Sequence, residues 1–172
     1  LDADWAHAYT GLAEVALYQN QAGFVPTSTA IPMIYNNLNK ALSIDPDSAN
    51  SHYIKAVNSV WTEWDWETGE AEFKKALELN PSHAQCHMFY AHLLLILNRK
   101  DEAYNYAKVG YELEPLRPII LGLYSILYID DNNNDKALKL INQSLEIDPE
   151  HFFSFVQKEI AHFNIGDYES SL

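Results

Sequence analysis

Potential metal ligands crowd one short stretch of the sequence, where His83, Cys86, His87 and His92 fall within ten residues. Imidazole nitrogens and a thiolate can hold zinc or a similar ion, and His83 and His87, four apart, could share one helix face. The spacing argues against a metal centre. His83 precedes the expected start of a helix, Cys86 projects about 100° away from His87, and no pair of Cys motifs with zinc spacing accompanies them. His52, Tyr9 and Phe155 occupy the place of His87 in other helical segments, which marks His87 as a packing residue.

Asp130-Asp131-Asn132-Asn133-Asn134-Asp135 offers alternate oxygens of the kind that bind calcium. A calcium loop also needs glycine at its sixth place and a bidentate glutamate at its twelfth, and here these are Asp135 and Ile141. The stretch is expected to be an interhelical turn in which Asn134 or Asp135 caps the next helix. Asn142-Gln143-Ser144 forms a glycosylation sequon, but it lies inside an expected helix. The sequence has no glycine-rich phosphate loop, nucleophile elbow or Ser-His-acid arrangement. Its many carboxylates fit the solvated faces of amphipathic helices. Neither an enzyme active site nor a cofactor is expected.

Aromatic chemistry is the remaining candidate, since VWTEWDWETG places Trp61, Trp64 and Trp66 within six residues. Tryptophan can grip a ligand or fill a core. The chain of 172 residues carries 24 acidic and 11 basic side chains, a formal charge of -13, which disfavours contact with phosphate backbones or anionic lipid. Its single cysteine, Cys86, excludes an internal disulfide framework and fits a reducing, cytoplasmic setting. The longest apolar run, Leu93 to Leu97, is far short of the roughly 20 residues of a membrane helix. The abrupt ends at Leu1 and Leu172 point to a piece of a larger protein.

Helices must position these residues, and their order is written in a repeat. Ile44-Asp45-Pro46, Leu79-Asn80-Pro81, Leu113-Glu114-Pro115 and Ile147-Asp148-Pro149 space their prolines by 35, 34 and 34 residues. Each proline closes a segment of helical periodicity, because it cannot continue a helix and biases the residue before it away from helical dihedrals. Small residues recur at fixed offsets: Ala91, Ala103 and Gly110, then Ser125, Ala137 and Ser144, with Ala56 and Ala76 earlier. Helices approach closely only where a side chain is small.

With this period, closing proline and small-residue spacing, the chain resembles the tetratricopeptide repeat (TPR) family. The resemblance implies an all-α fold, a right-handed α-α superhelix (TPR solenoid) of about four and a half helix pairs. Residues 1–172 would form a single domain with repeats at roughly 6–48, 49–83, 84–117, 118–151 and a truncated 152–172. The separation of Ala13 and Ala41 puts about nine extra residues into the first repeat, expected as a loop at 20–30. Asp2-Ala3 is similar to the end of a preceding repeat, and Gly166-Asp167-Tyr168 fits a turn of the fifth. Glu159 occupies the eighth place of that repeat, where the family has a small residue, so its helix must pack loosely or its carboxylate must meet a polar group.

The resemblance also implies that the first helix of each pair lines a concave groove. Its fifth, ninth and thirteenth positions would be Thr10, Glu14 and Tyr18; Tyr53, Val57 and Trp61; Met88, His92 and Ile96; and Gly122, Ile126 and Asp130. Such a groove is apolar and edged with acid, and it lacks the lysines and asparagines with which some members of the family clamp a peptide's carboxylate. It implies a non-catalytic protein–protein interaction module for a peptide or amphipathic helix with basic flanks, or for a neighbouring domain. Met88 and Trp61 would be its anchors, with Trp64 and Trp66 sealing the end of a helix pair. WDWETGEAEFKKALELNPSHAQCHMFYAHLL, followed by RKDEA and ELEPLRP, is similar to repeat arrays of bacterial signalling proteins. That implies, as an alternative, the regulatory arm of a helix-turn-helix transcription regulator or a nucleotide cyclase.

Overall fold

The second helix of each of the first four pairs stops at the residue before a proline. Asp45, Asn80, Glu114 and Asp148 all leave the helix at φ between -133° and -138° with ψ between 67° and 95°. These are extended dihedrals, the ones a following proline permits. The computed structural model describes residues 5–166, and the helices among them follow the repeat. They are α1 (Ala6–Gln21), α2 (Thr27–Ile44), α3 (Ala49–Trp61), α4 (Trp66–Leu79), α5 (Ala84–Ile96), α6 (Lys100–Leu113), α7 (Pro118–Asp130), α8 (Asn134–Ile147) and α9 (Phe152–Ile165). None is long and apolar enough to cross a membrane. Asp2-Ala3, Asp167-Tyr168 and the segment to Leu172 lie outside the described residues.

Packing divides the chain into two compact units, Leu1–Pro81 and Ser82–Leu172. In the first, α1 pairs with α2 and α3 with α4, and α3 also packs on both α1 and α2. In the second, α5 pairs with α6 and α7 with α8, α7 packs on α5 and α6, and α9 closes against α7 and α8.

Small residues sit where paired helices cross. Ala13, Ala41, Ala56, Ala76, Ala91, Ala103, Ser125, Ala137 and Ser144 are all fully buried. A Cβ on Gly69 would lie 2.3 Å from Val60 Cγ2, and one on Gly110 would lie 2.9 Å from the Ala84 carbonyl oxygen. Gly69 fills the small place of the second repeat that its extra turn residue hides in the sequence. In the fourth repeat a hydroxyl does the same task, with Ser144 Oγ donating to the Pro118 carbonyl at 3.1 Å and lying 2.7 Å from Ser154 Oγ.

Two local expectations are corrected. The nine extra residues do not make a loop at 20–30, because α1 and α2 are long, 16 and 18 residues, and only Ala22–Pro26 is non-helical. Pro26 takes the N-cap with extended dihedrals, and burial of Ala30, Ile34 and Leu38 outweighs the Ser/Thr-rich start and the internal Pro32. Neither Asn134 nor Asp135 caps α8. Asn133 holds the N-cap without a side-chain hydrogen bond, and Asp135 sits in the first turn, where the helix dipole favours it. Glu159 is only half-buried and shares a helix face with the exposed Phe155 and Phe163, so α9 is packed loosely at its eighth position.

Gly110→Ala should cost about 1–3 kcal/mol, because the added methyl meets backbone. Gly11→Ala, in a helix with nothing within 4 Å, should gain about 0.5–1 kcal/mol. Urea unfolding of the two variants checks the opposite signs.

Candidate binding surface

Burial falls along each first helix from its fifth position to its thirteenth. The fifth-position residues Thr10, Tyr53, Met88 and Gly122 are all buried. Thr10 donates to the Ala6 carbonyl and lies 2.6 Å from Ser51 Oγ, which joins α1 to α3. The Tyr53 ring lies 6.4 Å from Phe73 on α4. Met88 is 0% exposed, and its Cγ would be 3.2 Å from a Cβ on Gly110. Met88 is therefore a core residue and not a partner anchor. Gly122 is small because Phe153 of α9 comes within 2.9 Å of its would-be Cβ.

Ninth positions are mixed. Val57 is buried, while Glu14, His92 and Ile126 are half-buried. His92 Nε2 lies 3.1 Å from the Leu123 carbonyl oxygen and stitches α5 to α7. Burial holds its imidazole down to about 4, with only the Leu123 bond acting the other way.

Thirteenth positions are the least buried of the three. Tyr18 is 37% and Ile96 47% exposed, and Asp130 is also exposed. Asp130 is already paired with Lys100, which reaches Asp131 as well, at 3.1 Å. Tyr104 hydroxyl donates to Asp131 at 2.6 Å, so the acidic turn after α7 ties α6 to α7 and its charge is partly answered within the chain. Trp61 is half-buried, edge-on to Phe73 at 6.1 Å.

Trp61 is partly exposed, while its two neighbours are more exposed than a sealing role requires. Trp64, expected to seal the hairpin, is 71% exposed at φ +60°, and Trp66 is exposed at the start of α4. The corresponding turns of the second unit put Asn98 (φ 57°) and Asn132 (φ 55°) in this left-handed conformation, which asparagine tolerates far better than tryptophan. The turn around Trp64 is braced by Glu63, whose Oε2 accepts from Tyr35 hydroxyl at 2.7 Å and from Asn58 Nδ2 at 3.0 Å. Burial and the Glu63 carboxylate push the Tyr35 hydroxyl up to about 12, so it remains a donor. Periodicity cannot flag Trp64; the signal is a tryptophan where the other turns have asparagine.

The candidate ligand cluster has other duties. His83 Nδ1 accepts from the Cys86 backbone N–H at 3.2 Å and caps α5. His87 stacks near Tyr106, with ring centroids 5.7 Å apart, and burial pushes the Cys86 thiol up. Among the described residues no three His, Cys, Asp or Glu side chains converge on one point.

Residues 120–151 match the tetratricopeptide repeat. The fold is that of the TPR solenoids. PilF of Pseudomonas aeruginosa is similar at 23% identity and a TM-score of 0.68, over 96% of this chain and 72% of its own. TTC0263, a TPR protein of Thermus thermophilus, aligns at 21% identity and 0.69, over 88% and 80%. YrrB, a TPR protein with an unusual peptide-binding site, aligns at 19% identity and 0.56, over 99% and 83%. At these identities the fold is what is shared. No curated protein matches the chain by sequence.

Two outcomes are expected from this geometry. The unfolded chain takes up a proton on His92 near pH 6.5 that the folded chain refuses until about 4. Stability should therefore fall as pH drops through that window, by at most roughly 3 kcal/mol from His92. His83 and His151, also held down by burial, act in the same direction. Urea titrations across this range should show a smaller acid loss in His92→Gln. Separately, Trp64→Asn should raise stability by about 0.5–1 kcal/mol, read from the same titrations at neutral pH, because it relieves the left-handed backbone.

Proposed function

We propose that this chain is a non-catalytic protein–protein interaction module that engages a peptide, a helix or a neighbouring domain through the C-terminal ends of its first helices and the turns that follow them. The observation that carries the reading is the burial gradient. Close packing consumes the fifth positions, while Tyr18, Ile96 and Trp64 spend large apolar area on solvent. Exposed aromatic and branched side chains of this kind supply most of the energy in protein interfaces. YrrB, which has the same fold, carries a peptide-binding site, and that supports a peptide as occupant here.

The partner's chemistry follows from shape and charge. An apolar or aromatic side chain would lie against Tyr18 or Ile96, and the overall charge of -13 favours basic flanking residues. Glu14 is the groove carboxylate closest in sequence to an exposed apolar position, while Asp130 contributes less because Lys100 already neutralises it.

Selection of displayed peptides on the protein tests this. Selected peptides should pair an apolar residue with Lys or Arg, and Tyr18→Ala or Ile96→Ala should weaken them about tenfold each. Val109→Ala, an exposed apolar change on α6, should leave binding intact. Peptides that bind all three variants equally would refute the assignment.

A further inference from the structure

Four tyrosines form a continuous row in the second unit. Tyr104 meets Tyr128 at 6.0 Å between ring centroids, Tyr128 meets Tyr124 at 5.3 Å, and Tyr124 meets Tyr111 of α6 at 5.1 Å. Beside the last three, α6, α7 and α8 leave an open hollow of about 340 Å³, at the lower end of the size range of ligand sites. Lys136, Lys139 and Gln143 of α8 form its polar side, and Leu140 adds an apolar contact.

Every charged group lining this hollow is a cation. Lys136 and Lys139 are three apart and so face the same way, with Lys136 Nζ lying 5.4 Å from the centre of the Tyr128 ring. The chain has 11 cationic side chains, and ion pairs among the described residues hold Lys55, Lys74, Arg99, Lys100, Lys108 and Arg117. Lys136 and Lys139 are not among these, although acids outnumber bases by 24 to 11. Glu112, whose charge is felt at Tyr124, is itself paired with Lys108 at 3.8 Å. Tyr128 hydroxyl donates to Tyr124 hydroxyl at 3.4 Å, and Tyr124 then has its own hydrogen to give. Two ammonium groups, a hydroxyl donor and the tyrosine rings lining the same hollow match an acceptor with negative charge next to a flat or apolar group.

We propose that this hollow binds an acidic peptide segment, with a side-chain carboxylate held between Lys136 and Lys139 and a neighbouring aromatic or apolar side chain laid on Tyr111, Tyr124 and Leu140. A peptide fits better than a free inorganic anion, because three tyrosine rings and a leucine provide apolar area that a bare anion leaves uncovered. The site is separate from the first-helix surface. Tyr124 and Tyr128 each lie two residues, about 200° of helix rotation, from Ile126 and Asp130, and so occupy the other side of α7. The site therefore goes beyond the interaction reading above and does not depend on the groove residues.

The test is a titration of the whole chain, carrying isotope-labelled tyrosine rings, with acetyl-Asp-Phe-Asp-amide, followed by NMR. Acetyl-Asn-Phe-Asn-amide and inorganic phosphate are the comparison probes. The acidic peptide should shift the Tyr111, Tyr124 and Tyr128 ring signals saturably, at about millimolar concentration, and both comparison probes should bind about tenfold more weakly or not at all. Lys136→Gln with Lys139→Gln should weaken the peptide about tenfold with an unchanged circular dichroism spectrum, and Tyr124→Phe should weaken it roughly threefold. Ile96→Ala, which tests the first-helix surface, should leave this titration unchanged. Absence of saturable shifts, equal binding of the amide peptide, phosphate binding as tightly as the peptide, indifference to the double lysine change, or sensitivity to Ile96→Ala would each overturn the proposal.

Discussion

Two helices can share a core at close range only where one of them gives up a side chain at the crossing, and that concession organises this protein. Gly110 brings the Ala84 carbonyl, His87 and Met88 to within about 3 Å of where its Cβ would be. The same approach carries Met88 into the core. Gly122 shows the relation reversed, since there the fifth position itself is small and Phe153 of α9 fills the space. Ser144 answers the constraint with a hydroxyl, small enough for the crossing and able to donate to the Pro118 carbonyl. In each case one small residue decides which neighbouring side chain becomes core and which stays outside.

That decision weakens toward the far end of each first helix. By the thirteenth position Tyr18 and Ile96 are exposed. In the turns beyond, the backbone is set by helix termination. Arg99 N–H closes on the Leu94 carbonyl at 2.8 Å and Asn133 N–H on Tyr128 at 2.8 Å, each with an asparagine in the left-handed place. The turn after α3 has one more residue, closes from Asp65 N–H to Ser59 at 2.9 Å, and puts Trp64 in that place. A strained, exposed tryptophan gives folding nothing that asparagine would not give more cheaply.

The ends of α2, α4, α6 and α8 are legible in the sequence because they rest on local chemistry: a proline two residues past the helix stops it, and the residue before that proline extends. The small crossing positions are legible for the same reason, apart from Gly69, displaced by the extra turn residue. The first repeat is misleading because Pro26, Pro32 and the Thr/Ser run are genuine local signals against helix, overridden by burial of Ile34 and Leu38 that depends on tertiary packing. Met88 departs from expectation for a related reason. Repeat position says which way a side chain points, but the depth of the neighbour across from it decides whether it reaches solvent. The tyrosine hollow cannot be seen in the sequence at all, since it joins residues of three helices whose relative setting the sequence does not state.

Charge then separates the two surfaces of the second unit. A chain at -13 repels an acidic ligand at long range and attracts a basic one, so an acidic segment can bind only where local cations outweigh the global field. Most of this protein's cations cannot serve, because intrachain carboxylates already hold them. Lys100 is the clearest case: Asp130 and Asp131 both take it, and Asp131 is held below the usual carboxylate range by Tyr104 and Lys100 together. The pairing also removes acid from the edge of the first-helix surface and leaves that surface more apolar than its sequence implies. Lys136, by contrast, stands over the Tyr128 face, which stabilises a cation without neutralising it, and Lys139 lines the same hollow. An ammonium held by a ring keeps its full charge available to a ligand, whereas one held by a carboxylate does not. The tyrosine row is what allows an acidic protein to keep a positively charged site.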